Sequence, residues 1–513
     1  MHDVVIVGGG TAGCVLASRL TEDPDASVLL LEAGARTRKL ETRIPAAFSR
    51  LYRTEVDWGD STVPQRELDG REVVFPRGRA LGGSTVLNAM MVLRGHPVDY
   101  DAWDAAGCPG WSWADVEPFF ARAREGPFPL ATLPAAHVLT EAFVRSAQAA
   151  GIAFTDDLNG EETAGVGFVP VSQRRGRRFG VVDGYLRPAL RRPNLTIATG
   201  AFVTRVLVES GRAVGVAYRP RGASSDTEVH AEREVVVTAG AIGSPCLLQR
   251  SGIGPRPVLE RAGVEPVHEL AGVGEHLLDH LASGLLVDTQ DVETLATAES
   301  PRNLALWALR GRGPLTSNLG EAVAFVRTSP DLPSPDLELL FAPVLFEEEG
   351  LKQPTEHGFT LAVVVLQPRS RGTVRIRSAD PADVPAIDPR YLTDPGGRDT
   401  ATLLHGLRLA RRVVAEHPLA GFVAAERLPG ASAQTDEQLL DHVRSLSQTL
   451  YHPAGTCRMG TDPLAVVDPQ LRLRGLERLR VADASVIPRL PSGHTNWPVA
   501  MIAERAAELV AAG

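Results

Sequence analysis

The earliest residues able to do chemistry are Gly8-Gly9-Gly10-Thr11-Ala12-Gly13, with Glu32 placed 19 residues beyond Gly13. Between a strand and a helix, such a turn binds phosphate. Gly8 permits the tight turn, Gly10 lets a pyrophosphate reach the backbone, and Gly13 lets helix and strand pack closely. Thr11 and Ala12 lie where the helix begins, so free N–H groups and a positive dipole end face the phosphates. Glu32 can accept hydrogen bonds from an adenosine ribose. The motif alone does not separate FAD from NAD. Arg36 leaves a 2′-phosphate open, with a free ribose preferred. Two further groups carry chemistry. His276, Asp279 and His280 include an i, i+4 pair that can suggest a metal. His452 and His494 are imidazoles able to move protons near neutrality, although a histidine within Tyr451-His452-Pro453, taken alone, reads as structural.

The turn needs the right elements around it, and they are legible. Val4 to Val7 reads as a short buried strand. Ala12, Val15, Leu16 and Leu20 recur at helical spacing, and Ser27-Val28-Leu29-Leu30-Leu31 reads as a second strand ending at Glu32. A chain of 513 residues exceeds one compact core and predicts several units. Its 53 Lys and Arg against 62 Asp and Glu give a formal charge of −9, with no long basic block, which argues against a nucleic-acid grip. Cys14, Cys108, Cys246 and Cys457 form no C-x-x-C pair. Met1-His2-Asp3 leads straight into the first strand with no signal-peptide pattern, and no apolar run is long enough to span a membrane. A reduced, cytoplasmic protein is expected.

Further along, Arg77-Gly78-Arg79-Ala80-Leu81-Gly82-Gly83-Ser84-Thr85-Val86-Leu87-Asn88 resembles the first signature of the glucose–methanol–choline (GMC) oxidoreductases. Gly240-Ala241-Ile242-Gly243-Ser244-Pro245, continuing to Ser251-Gly252-Ile253-Gly254-Pro255, resembles their second. Tyr451 to Gly460, Val481 to Pro488, and Asn496-Trp497-Pro498 followed by Glu504-Arg505 are similar to the family's C-terminal half. These landmarks keep the family's order from residue 4 to residue 510.

The resemblance implies FAD and the oxidation of an alcohol CH–OH group to a carbonyl. Gly82 and Gly83 would let the backbone pass close to the flavin, with Asn88 to Met91 along it. Val203 would hold the adenine through its backbone. Asp483, with Ala484 after it, would bind ribityl or pyrophosphate groups. Leu87 stands where some relatives attach FAD through histidine, so non-covalent FAD is expected. His452 takes the position of the base, a role imidazole suits, and Asn496 that of its partner. His494 is expected at the flavin edge, and Pro498 beside the cofactor. A helix from Ala500 to Val510 would start just after Asn496-Trp497-Pro498 and aim its N-terminus at the flavin. The Asp279-His280 segment resembles a structural helix start, and no metal is expected there.

Because the FAD motifs recur at the start, middle and end, the expected fold is α/β: a Rossmann-type FAD-binding domain interleaved with an α+β substrate domain on an antiparallel sheet. The FAD-binding domain would comprise 1–95, 190–285 and 450–513, and the substrate domain 96–189 and 286–449. Phe359 to Val365 and Thr373 to Ile376 would supply strands roofing the flavin. Glu125-Gly126-Pro127-Phe128-Pro129 is shorter than the corresponding loop of relatives, and Trp497 replaces a small residue. The expected partners are a small alcohol, uncharged and primary or aromatic by preference, and oxygen or another electron acceptor. A cyanohydrin-cleaving lyase and a non-catalytic flavin scaffold are the alternatives.

Overall fold

The first strand, His2–Val7, is buried over its last four residues, and Val28–Glu32 beside it is buried throughout. Continuous apolar strands of this kind belong at the centre of a parallel sheet covered on both faces. Here they form a mixed sheet. Leu195–Thr199, Val28–Glu32, His2–Val7 and Thr227–Val237 run parallel, and Leu479–Val481 joins Thr227–Val237 in the same sense. Arg212–Pro220 and Ala201–Glu209 extend the sheet as an antiparallel meander. The structure, a computed structural model, describes residues 2–124, 128 and 130–513. The expected short loop at Glu125 to Pro129 lies, apart from Phe128, outside the described residues.

A second sheet is antiparallel, in the order Val423–Leu428, Leu281–Thr289, Gly358–Val365, Leu337–Ala342, Ala322–Val326 and Gly165–Phe168. Alternation decides its two faces. Leu361 and Val363 pack on Leu403, Leu407 and Ala410 of the helix Arg398–Ala415, whereas Thr360 and Ala362 turn toward a large cavity. The architecture is thus the α/β arrangement expected: a mixed, largely parallel sheet and an antiparallel one. Leu281–Thr289 runs across position 285, where a domain boundary was expected, and its whole length pairs within the second sheet.

Three local expectations need correction. Gly372–Arg375 pairs with Glu275–Leu277 and Ala386–Asp388 in a separate small sheet, because Val374 and Ile376 bury against Ile242 and Cys246. Glu275–Leu277 is a strand, with Asp279 and His280 leading into the strand Leu281–Thr289, so the expected helix start is absent. The last helix spans Asn496–Ala511, beginning four residues earlier than expected. Pro498 does not delay it, since the first-turn N–H groups of a helix have no partner to lose. Among the described residues no helix is long and apolar enough to cross a membrane.

Candidate active site

The opening turn is built by close backbone contact. A Cβ on Gly13 would lie 1.9 Å from the Gly8 carbonyl oxygen, and one on Gly8, at φ 109°, would lie 2.5 Å from that of Thr238. The second glycine loop lies against the first: Gly82 N–H donates to Gly9 O at 2.7 Å, and a Cβ on Gly83 would sit 2.7 Å from Gly10 Cα. From this contact a cavity of about 1280 Å³ extends to the antiparallel sheet.

Most of the expected cofactor residues line it. Gly8, Gly10, Thr11, Ala12 and Glu32 do so from the first βαβ unit, and Gly83, Asn88 and Met91 from the second loop. Val203, Asp483, Ala484 and His494 complete the set. Gly13, Gly82 and Pro498 do not line it. Gly13 is spent on packing helix against strand, Gly82 on the backbone link to Gly9, and Pro498 is buried in the first turn of the last helix. Trp497 points away as well, edge-on to Phe120 at 5.3 Å, so it packs the core and stacks on nothing in the cavity.

Glu32 accepts from Gly9 N–H at 2.8 Å on one oxygen and from Gly34 N–H at 2.7 Å on the other. Burial pushes its carboxyl up to about 7, against the opposing pull of those two bonds. Asp483 has both oxygens engaged within the protein, by Gly240 N–H, Ser244 Oγ and Ser485 N–H. It thereby holds the N-terminus of the helix Gly240–Arg250 at the cavity wall. Two helix N-termini, two glycine backbones in contact and a buried carboxylate at the second strand's end suit the pyrophosphate and ribose of a dinucleotide. The residues present fit FAD.

At the other end of the cavity three imidazoles meet. Tyr451, at φ 65°, turns the chain so that His452 faces inward. The rings of His452 and His494 have centroids 4.6 Å apart, and those of His452 and His280 5.1 Å. His452 Nδ1 and His280 Nδ1 are 2.9 Å apart. His280 Nε2 lies 3.0 Å from the Leu366 carbonyl, and the His452 N–H donates to Asp279 at 2.9 Å. His494 Nε2 donates to Glu338 at 3.2 Å, a carboxylate fully buried in the strand Leu337–Ala342. Burial, joined by the nearby His494 and His280, pushes the His452 imidazole well below its ordinary range.

This geometry sets a further imidazole beside His452, in addition to the Asn496 expected as its partner. Asn496 lines the cavity, but its Oδ1 accepts from Thr11 Oγ1 at 2.8 Å, on the nucleotide side. The imidazoles beside His452 are those of His494 and His280. As the first residue of the last helix, Asn496 turns its Oδ1 toward Thr11 of the opening helix, while His494, two residues earlier in the preceding loop, packs against His452. His280 and Glu338 were missed as site residues. In the sequence His280 stands out only as part of a metal-like spacing, yet His276, Asp279 and His280 reach three different partners: the Pro488 carbonyl, the His452 N–H and the His452 ring. Glu338 left one signal, a lone acid within the apolar run Leu337-Glu338-Leu339-Leu340.

Comparison with known proteins agrees with this architecture. Models of the GMC oxidoreductase family match residues 2–282 and 368–503. An uncharacterised GMC-type oxidoreductase of Mycobacterium tuberculosis (strain ATCC 25618 / H37Rv) is 45% identical, covering 99% of each chain. The "Alcohol dehydrogenase [acceptor]" of Pseudomonas putida is 38% identical over 99% of this chain and 96% of its own. Among solved structures, pyridoxine 4-oxidase from Mesorbium loti superposes with a TM-score of 0.90 at 34% identity, covering 99% of both chains.

Proposed function

Because this chain belongs to the FAD-dependent GMC oxidoreductase family, we propose that it oxidises a small alcohol to a carbonyl with His452 as the base. The observation that carries the reading is the pair of facing imidazoles, His452 and His494, on the wall of the cavity that begins at the phosphate-binding turn. When bound, FAD supplies a ring that accepts the carbinol hydride. His452, kept neutral by burial, takes the hydroxyl proton. His494, tethered by Glu338, orients the substrate oxygen. Asn496, which lines the cavity with its Oδ1 bonded to Thr11, is the second group for holding that oxygen, through its amide N–H. Cofactor contacts are assigned to Gly8, Gly10, Thr11, Ala12, Glu32, Gly83, Asn88, Met91, Val203, Asp483 and Ala484.

Leu87 offers no nucleophile, so FAD is held without a covalent bond. The substrate is an uncharged primary or aromatic alcohol, in line with relatives named for alcohol and for pyridoxine. Oxygen or another acceptor reoxidises the flavin. The lobes are 1–95, 190–280 and 450–513 for the cofactor, and 96–189 and 281–449 for the substrate.

Anaerobic mixing of the holoenzyme with benzyl alcohol, 1-butanol and pyridoxine tests this. Bleaching of the flavin by at least one is expected. Cyanide release from mandelonitrile without bleaching would favour a lyase, and neither response a scaffold. Flavin that stays with the polypeptide after acid precipitation would overturn the non-covalent assignment.

A further inference from the structure

We propose that His280 is a positioning residue that fixes the tautomer of His452, leaving the lone pair on Nε2 as the basic site. The inference rests on the reading of His452 as base and adds which nitrogen acts and what selects it.

The argument follows the protons from a group whose role is fixed. A backbone carbonyl only accepts, so at 3.0 Å from Leu366 O the Nε2 of His280 carries hydrogen. A neutral imidazole has one N–H, which leaves Nδ1 of His280 as an acceptor. Its partner at 2.9 Å is Nδ1 of His452, and a bond between two ring nitrogens needs one hydrogen. That hydrogen therefore belongs to His452 Nδ1, and Nε2 of His452 is bare. The reverse arrangement would need a doubly protonated His280. Burial, reinforced by His494, pushes His280 down to about 3. Among the described residues, the groups around its ring are the Leu366 carbonyl, His452 and His494, with no carboxylate bonded to it. The neighbouring Asp279 is committed to the His452 N–H and to Tyr391 Oη.

The backbone holds both rings in register. Leu450 N–H donates to His280 O at 2.8 Å, and Ala454 and Leu278 exchange bonds at 2.9 Å. His452 is thus gripped twice by consecutive residues, its N–H by Asp279 and its ring by His280. When the base acts, the substrate O–H bond breaks, its electron pair stays on oxygen, and the proton forms an N–H bond at Nε2. The resulting imidazolium still donates Nδ1–H to His280, and its charge strengthens that bond.

Neutron diffraction of the perdeuterated holoenzyme reads the protons directly. The expected map has deuterium on Nδ1 of His452 and Nε2 of His280, with Nε2 of His452 bare. Deuterium on Nε2 of His452 with Nδ1 bare would overturn the proposal. Kinetics give an independent reading. An imidazole base held in the wrong tautomer loses on the order of 10⁴-fold in turnover. With the alcohol that bleaches the wild type fastest, His280→Leu should slow anaerobic flavin reduction by about 10²- to 10⁴-fold with KM and flavin content little changed. His280→Asn, which can keep an acceptor facing His452 Nδ1, should recover much of the rate. His280→Leu reducing flavin at the wild-type rate would refute the lock. If His452→Ala itself kept the wild-type rate, the base assignment would fall whatever the map showed. A misplaced deuterium with inactive His452→Ala would remove the lock alone.

Discussion

His452 and Glu32 are both buried titratable groups, and their pH behaviour runs in opposite directions. The imidazoles of His276 and His280 are pushed down to about 4 and about 3, mainly by burial. The unfolded chain takes up those protons near pH 6.5 and the folded chain does not, so stability falls as pH drops below about 6.5. In thermal melts between pH 7 and 5, His276→Gln should lose less stability than the wild type, and equal losses would contradict the assigned cause. Glu32 is pushed up to about 7, so the free protein carries a partly neutral carboxyl there. Hydrogen bonds from ribose favour its charged form, so FAD affinity should weaken as pH falls below about 7 and level off above it. A flat titration curve would contradict the ribose assignment. Glu32 was legible in the sequence because a fixed strand length sets its distance from the glycines. The closeness of His494 to His452 was not, because which side chains near the last helix meet His452 depends on where that helix begins.

The opening strand, turn and helix carry their own test, because the three glycines differ in what surrounds them. A Cβ on Gly13 meets the Gly8 carbonyl, whereas one on Gly10 meets only Gly83 Cα at 3.9 Å and otherwise faces the cavity. Gly13→Ala should therefore destabilise the apoprotein by at least about 2 kcal/mol, while Gly10→Ala should fold normally and bind FAD more weakly. Thermal melts with flavin titration separate the two, and identical behaviour would refute the distinction. The last helix is tied to the first through Glu504, which accepts from Arg19 at 2.8 and 2.9 Å and from Tyr185 Oη at 2.8 Å. Removing the carboxylate leaves a partly buried cation, so Glu504→Ala should cost about 3 kcal/mol. Less than about 1 kcal/mol in denaturant unfolding would show that the cluster does little. The strands themselves were readable as apolar runs. Their sheet membership was not: Thr373 to Ile376 alternates like a roof strand, yet its pairing was decided by Ile242 and Cys246, distant in sequence.

The molecule as a whole places its reactive groups by bringing chain ends together. His280 and His452 are 172 residues apart, and Thr11 and Asn496 are 485 apart. A motif read along the chain points to His452, but only the meeting of the two sheets shows what surrounds it. That is why His280 and Glu338 escaped the sequence. The central claim is that this assembly moves a proton through His452 while a hydride leaves the same carbinol. Its most direct test is rapid anaerobic mixing of FAD-loaded wild type and His452→Ala with an alcohol that bleaches the wild type. The account predicts that the variant keeps its flavin and is reduced about 10²- to 10⁴-fold more slowly. Reduction of His452→Ala at the wild-type rate would contradict it.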